Sequence, residues 1–427
     1  MYSIPFPLEP SLWAKTACPA PSTTSLKDDI RSGVLVIGGG FAGLSTALHL
    51  AQEGQKVVLL EAKEIGFGAS GRNGGQVIPG LKFDPAELMT MFGDKRGKKL
   101  VEFAGKTADT VFDLIKNFNM NVPHVRKGWI QGSHNQETLA LARKRSTQWS
   151  QLGAPARMLS REEIGNLLGT DIYLGGWIDE RAGAIQPLSY ARELARVALS
   201  LGAEIFTESA VTKLSQHGSA WQASTSSGGS VTADKVVICT NGYSQNLWPH
   251  LQSSVIDAIS YLIATPPLPE SLRNKIAPGG QVCSDARNLL IYFRQDHEGR
   301  FVLGGRGPFR EPKGPEDWGH IERVTKKMFP FLSDIPIEHK WCGRVAVTRD
   351  FLPHIHEPKP GLLIDIGCMG RGVGLQSSMG RAIAQYLTTG NRDVLPFASS
   401  DIKPLPLYGL RRLYVNALMT WYSYKDL

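Results

Sequence analysis

Four apolar residues, Val34-Leu35-Val36-Ile37, run without a break into Gly38-Gly39-Gly40-Phe41-Ala42-Gly43. So short an apolar run suits a strand buried on both faces. The stretch after it, from about Ala42 to Glu53, carries Leu44, Ala47, Leu48 and Ala51 at helical spacing, and Gly54 ends it. Val57-Val58-Leu59-Leu60 repeats the strand signal and closes on Glu61. Strand, glycine turn, helix and second strand form a βαβ unit, which commits the chain to an α/β fold of Rossmann type.

The turn has chemistry as well as shape. Gly38 permits the tight bend, Gly40 lets backbone approach a pyrophosphate, and Gly43 lets the helix pack on the strand. The helix N-terminus at Phe41 and Ala42 turns unpaired N–H groups and a positive dipole end toward phosphate. Glu61 stands 18 residues past Gly43, where an acid accepts from an adenosine ribose hydroxyl. A glycine turn that binds nothing is the alternative, and the flanking strands and helix argue against it.

NAD and FAD both use this fingerprint. Two features favour FAD. The loop after Glu61 contains Ala69-Ser70-Gly71-Arg72-Asn73-Gly74-Gly75-Gln76, too glycine-rich for an ordinary surface connection and suited to wrapping a long cofactor. A second strand-to-helix turn, Gly367-Cys368-Met369-Gly370-Arg371-Gly372-Val373-Gly374, follows the apolar run Leu362–Ile366 near the other end of the chain. Its N–H groups suit the flavin end of the cofactor; a plain helix cap is the alternative.

Composition excludes other classes. Net charge is +8 with no block of like charges, so nothing marks a nucleic-acid module. Five cysteines without a CxxC pair read as reduced thiols in a cytoplasmic protein. The first 25 residues lack the apolar run of a secretory signal, and no stretch is apolar enough to span a membrane. His354 and His356 beside Pro353 read as a surface strand, and no metal is expected.

The order of elements predicts a discontinuous FAD-binding domain at 31–95, 171–250 and 345–395. An antiparallel, β-rich substrate domain is expected from 96–170 and 251–344. Residues 1–30 read as an arm with Trp13 as its anchor, and 396–427 as a tail helix. Leu407–Tyr424 is apolar and aromatic with Arg411, Arg412 and Lys425 around it. Packing on the body is expected of it, with peripheral membrane contact as the alternative.

The chain resembles the D-amino-acid-oxidase-type superfamily of FAD-dependent amine oxidoreductases, and within it the gamma-glutamylputrescine oxidoreductase and L-pipecolate oxidase-like branch. The likeness rests on Gly38–Gly43, Glu61, Ile65–Gln76, Trp341-Cys342-Gly343, Gly367–Gly374 and Trp421–Asp426. It implies oxidation of a C–N bond in a small amine or imino acid by hydride transfer to flavin N5, with oxygen or a quinone reoxidising the flavin. It also places Val211 and Gly242 against the cofactor. Three positions depart from the related monomeric sarcosine oxidases. Gly343 stands where those attach FAD through a cysteine, which implies noncovalent FAD. Gly374 replaces a carboxylate-binding lysine, and Val302 replaces the lysine beside the flavin. Tyr261, Arg294, Arg306 and Arg371 are therefore the candidates for substrate contact and catalysis, the first three in the β-rich roof. An NAD-dependent dehydrogenase and a non-catalytic flavin-binding subunit are the rival readings.

Overall fold

The structure is a computed structural model that describes residues 6–426. Its first sheet is built on the runs read as buried strands. Asp29–Ile37 lies between Val57–Leu60 and Ser230–Ile238, parallel to both. Glu204–Phe206 extends the sheet beyond Val57–Leu60, and Leu362–Ile366 extends it beyond Ser230–Ile238, again in parallel. Val57–Leu60 and Leu362–Ile366 are buried at every position, which is why those runs show no polar alternation. His354–Lys359 closes one edge antiparallel, and the hairpin Val211–His217 with Ala220–Thr225 pairs with the first half of Ser230–Ile238.

The helix Phe41–Gln52 packs between Pro187–Ser200 and Gly372–Thr389. Its contact with the last is very close: a side chain at Gly380 would collide with the Ala42 carbonyl. Ser45 donates to the Ser377 carbonyl across the same seam at 2.6 Å. The two glycine-led helices are thereby locked side by side.

The second sheet has eight strands, in the order His339–Thr348, Val255–Pro267, Arg300–Arg306, Ile291–Gln295, Val282–Asp285, Trp129–Ser133, Gly175–Asp179 and Ala156–Leu159. Every pairing is antiparallel except Val282–Asp285 with Trp129–Ser133. One face covers an apolar core of its own, with Tyr261, Phe293, Phe301, Phe329 and Trp318. The other faces the dinucleotide layer.

Two expected boundaries move. Residues from Leu100 through Ile115 share the core of the parallel sheet, and Thr107–Asn117 packs on Gly372–Thr389, so these helices belong with the FAD-binding layer. Gly175–Asp179 belongs to the roof sheet instead, since it pairs on both sides there.

The arm is part of the fold. Leu8, Leu12 and Trp13 are fully buried with Val302, Leu262 and Trp341. The Trp13 indole N–H donates to the Asn73 carbonyl at 2.8 Å, and the Trp13 carbonyl accepts from Gln186 at 2.9 Å. The tail helix, Arg411–Lys425, meets the body along one half-buried stripe but buries no residue fully. Trp13→Ala is expected to cost about 3–5 kcal/mol, the usual range for a buried aromatic cut to alanine. Equilibrium urea unfolding measures this, and a cost near zero would show that the arm is not integral.

Candidate functional site

Four loops meet at the C-terminal ends of the parallel strands. They follow Ile37, Leu60, Ile238 and Ile366, the crevice where open parallel sheets bind ligands. They are tied to one another. A side chain at Gly38, whose φ is +114°, would lie 2.9 Å from the Cys239 carbonyl. Asn241 Oδ1 accepts from the Gly367 N–H at 3.0 Å. Gly242 sits beside them, against Asp257 and Ala346 of the roof strands.

Gly40 caps the helix Phe41–Gln52 with no side chain of its own. The Phe41 N–H donates instead to Ser70 Oγ at 2.9 Å, and a Cβ on Gly40 would lie 2.9 Å from that same oxygen. The absent side chain thus admits the second glycine loop, and the two loops form one cradle. Gly43 is closed in by the Gly38 carbonyl, as helix-on-strand packing requires. Glu61 lies across the turn. Its carboxylate accepts from the Gly39 N–H at 2.6 Å and the Lys63 N–H at 2.9 Å. Burial pushes its pKa up, against the pull of those N–H groups. Phe206 to Ser209 runs beside Glu61 through backbone hydrogen bonds, which brings half-buried Val211 to the same end of the sheet.

The loop at 66–76 is mostly held by others. Arg72 is buried, donating to the carbonyls of Phe67 at 2.8 Å, Pro7 at 3.2 Å and Cys342 at 3.4 Å. Its Nη2 has no partner among the described residues, a buried donor that a ligand oxygen would satisfy. The Asn73 side chain bonds Ala69, Ser70 and Gly75 of its own loop, and Gln76 reaches the carbonyls of Cys283 and Phe293 in the roof. Asn73 and Gln76 therefore shape the loop and do not extend side chains to a ligand. A Cβ on Gly74 would strike the Tyr292 ring at 2.6 Å, and Gly75, at φ +72°, is enclosed by Ile185 and Arg294.

In the last turn Gly370 adopts φ +80° with open space around it, so backbone conformation is what requires glycine there. Gly372 starts the helix and Val373 is buried in its first turn. Gly374 departs from its assignment: a Cβ there would meet the Thr107 carbonyl at 2.9 Å, which makes it a helix-packing position. At the expected attachment point, a Cβ on Gly343 would lie 2.9 Å from Arg72 Cβ. The neighbouring Cys342 thiol faces away, toward Glu311 at 3.3 Å, with its pKa raised by burial.

Of the four candidate catalytic residues, strand alternation separates two. Ser260 is in register with Arg306 and with Gly343, so these share the face toward the cradle. Tyr261 is one residue on and points into the opposite core, stacked edge-on to Trp318 with its hydroxyl on the Arg310 carbonyl. It is not a site residue. Arg294 is also corrected. It donates to the Gly74 carbonyl at 2.7 Å and the Ile185 carbonyl at 2.8 Å, and lies over the Trp13 ring. Burial pushes its pKa down to about 10, which leaves it cationic but committed to backbone.

Arg306 and Arg371 remain. Arg371 donates to the Pro79 carbonyl at 2.9 Å, with its pKa pushed down to about 10 by burial first and Arg145 second. The Arg306 guanidinium has no hydrogen-bond or ion-pair partner among the described residues. Sequence reading missed Lys82, which has none either. Its ammonium reaches solvent but is flanked by protein, and its pKa is pushed down to about 8 by that burial, then by Arg371, Arg145 and Arg306. Asp365 was missed too: both carboxylate oxygens are buried without a partner, and burial raises its pKa to about 7. An acid inside the run Leu362–Ile366 was its signal; Lys82 had none.

Arg294→Leu is expected to lower stability by roughly 3 kcal/mol or more, because two buried carbonyls lose charged donors. Urea unfolding reads this. Unchanged stability with weakened substrate binding would instead return Arg294 to the substrate.

Comparison with known proteins agrees with this geometry. The family model described as FAD dependent oxidoreductase (DAO) matches residues 33–386. The chain is 29% identical over 410 residues to a probable oxidoreductase, OrdL, of Haemophilus influenzae, covering 92% of this chain and 91% of that one. It is 29% identical over 409 residues to the gamma-glutamylputrescine oxidoreductase of Escherichia coli, covering 94% of each. Among solved structures, glycine oxidase from Geobacillus kaustophilus superposes with a TM-score of 0.72 at 18% identity, over 87% of this chain and 100% of its own. A fingerprint in its expected strand–helix context, a second glycine loop seated on it and a family match across most of the chain agree: this protein belongs to the DAO family of FAD-dependent oxidoreductases.

Proposed function

We propose that the chain oxidises the C–N bond of an amine or imino acid that also carries a carboxylate, with FAD held noncovalently. Gamma-glutamylputrescine and cyclic or secondary amino acids such as L-pipecolate fit that description, and two relatives act on related chemistry by name. The single observation that carries the reading is the group of cations Lys82, Arg306 and Arg371, in which both arginines stand near enough to lower the proton affinity of Lys82, and the side chains of Lys82 and Arg306 have no partner among the described residues.

Bound FAD supplies a two-electron acceptor for the hydride on the carbon next to nitrogen. The rest falls to the chain. Gly40, Ser70 and the helix N-terminus hold the pyrophosphate, Glu61 the ribose, and Arg72 an oxygen of the cofactor. With Gly343 in place of a cysteine and the Cys342 thiol on the far face, no thiol is offered for a covalent link at that position. Arg306, Lys82 and Arg371 attract the substrate carboxylate. The same positive field lowers the pKa of the substrate ammonium, so the amine loses its proton before it must give up hydride.

The roof supports a reading of the acceptor. Val302 is buried with Leu12, Trp13 and Trp341, so no charge stands at that position to stabilise a developing superoxide. This favours a quinone-type acceptor over oxygen: Arg294, opposite Val302 in the next strand, is committed to backbone carbonyls, and Arg306 stands four residues further along the same face.

Two experiments test this. In an anaerobic screen, amines carrying a carboxylate should bleach the flavin, and their amides should do so far more slowly. Equal bleaching by both would end the carboxylate reading. Lys82 is cationic below about pH 8 and neutral above it. Binding of a simple carboxylate inhibitor should therefore weaken as pH rises through that value, and Lys82→Met should flatten the profile; an unchanged profile would remove Lys82 from the site. Separately, Glu61→Ala should weaken FAD binding by roughly 1.5–3 kcal/mol for each charged hydrogen bond lost. Undiminished FAD retention on gel filtration would take Glu61 off the ribose.

A further inference from the structure

The tail helix Arg411–Lys425 meets the body along one stripe. Arg411, Val415, Met419 and Tyr422 are half-buried, and the other residues of the helix are exposed. Steps of four, four and three put these on a single face. Both ends are held. Asp426, just past the helix, accepts from the Asn288 backbone and side chain at 2.9 Å and from the Leu289 N–H at 2.7 Å. At the other end half-buried Arg411 stands within electrostatic reach of Asp257, on the roof strand Val255–Pro267.

The outward side is apolar. Leu407 is 74% exposed, Leu413 69%, Trp421 55% and Tyr424 72%, with Leu410 and Leu418 also exposed. At about 100° per residue Leu413, Leu418, Trp421 and Tyr424 fall within an arc of roughly 140° of the helix, with Leu407 and Leu410 exposed in the turn that leads into it, while Arg412, Asn416, Thr420 and Ser423 form a separate polar edge. Scattered surface leucines need no explanation, but a continuous apolar arc held in place by the body does.

Charge indicates what covers it. Between Asp401 and Asp426 there is no acidic residue, whereas Lys403, Arg412 and Lys425 are exposed cations. The acid at the end, Asp426, is occupied by Asn288 and Leu289. A two-fold contact with a second copy would bring these cations together with no acid to pair them. Anionic lipid offers phosphates to the cations, an interfacial zone to the Trp and Tyr rings, and acyl chains to the leucines.

We propose that this helix, with Leu407 and Leu410 leading into it, lies in the headgroup–acyl boundary of an anionic bilayer and seats the enzyme on the membrane surface. No helix among the described residues is long and apolar enough to cross a membrane, so the contact is peripheral. The seating has a direction. Tyr422, on the inward stripe, is within electrostatic reach of Arg306, so the bilayer would lie beside the part of the roof that carries the candidate site.

The test is flotation of the purified, FAD-loaded protein with vesicles of equimolar phosphatidylglycerol and phosphatidylcholine, against phosphatidylcholine alone. The protein should float with the anionic vesicles and much less with the neutral ones, and added salt should weaken the binding. Leu413→Glu combined with Leu418→Glu should reduce binding roughly tenfold or more, since two leucyl side chains leave the bilayer and two like charges meet it. Flavin absorbance and melting temperature, which these outward positions should not affect, confirm that the variant is folded. Failure of the parent protein to float, or equal flotation of the variant, overturns the proposal. So does self-association that the same two substitutions abolish in the absence of any flotation, which would assign the face to a second copy.

Discussion

A glycine loop buried between two sheets must find partners for its carbonyls, and that requirement organises this molecule. Water cannot serve the stretch 66–76 where it is covered, and an unpaired buried carbonyl is costly. The donors come from several directions. Arg294 serves Gly74 from the roof, the Trp341 indole serves Arg72 from another roof strand at 2.9 Å, and Trp13 serves Asn73 from the arm. Arg72 returns the favour by donating to Cys342 and Pro7. Arm, loop and roof thus depend on one another, and the cradle for the cofactor is stiff because its walls are hydrogen-bonded through it.

That arrangement decides which charges are free. Arg294 is drawn into the loop's support, so the cations left facing the crevice are Arg306, Lys82 and, with one hydrogen bond, Arg371. Cations crowded on low-dielectric walls repel one another and favour an anion between them. Lys82 registers burial first and this repulsion second in its depressed pKa, while an arginine has too high a pKa to lose its charge. On the proposed reading, the same crowding favours a substrate that carries a carboxylate.

Much of the framework was legible in the residues. Apolar runs ending in glycine located the parallel strands, and the two glycine turns located the crevice, because buried parallel strands and close backbone approach leave composition signatures. Side-chain roles were less legible. Tyr261 and Arg306 both lie on roof strands, and one residue of alternation sends the first into the far core and the second toward the cradle. Gly374 reads as part of a binding turn, yet the Thr107 carbonyl is what excludes a side chain there. The tail helix has a composition common to cores, and only its placement shows that most of it is uncovered.

By itself, then, the sequence determined the βαβ unit, the family and the cofactor class. The βαβ unit and its dinucleotide site follow from local rules, since strand burial, φ at glycine, and N–H groups at a helix start act over a few residues, and the family follows from the resemblance of its motifs. Only the tertiary structure decided which arginine supports a loop and which faces the crevice. It alone brought Lys82, 224 positions before Arg306, into the same field. Long side chains take their role from whatever carbonyl or charge lies within a few ångströms, and distant segments supply those neighbours only when the sheets have packed.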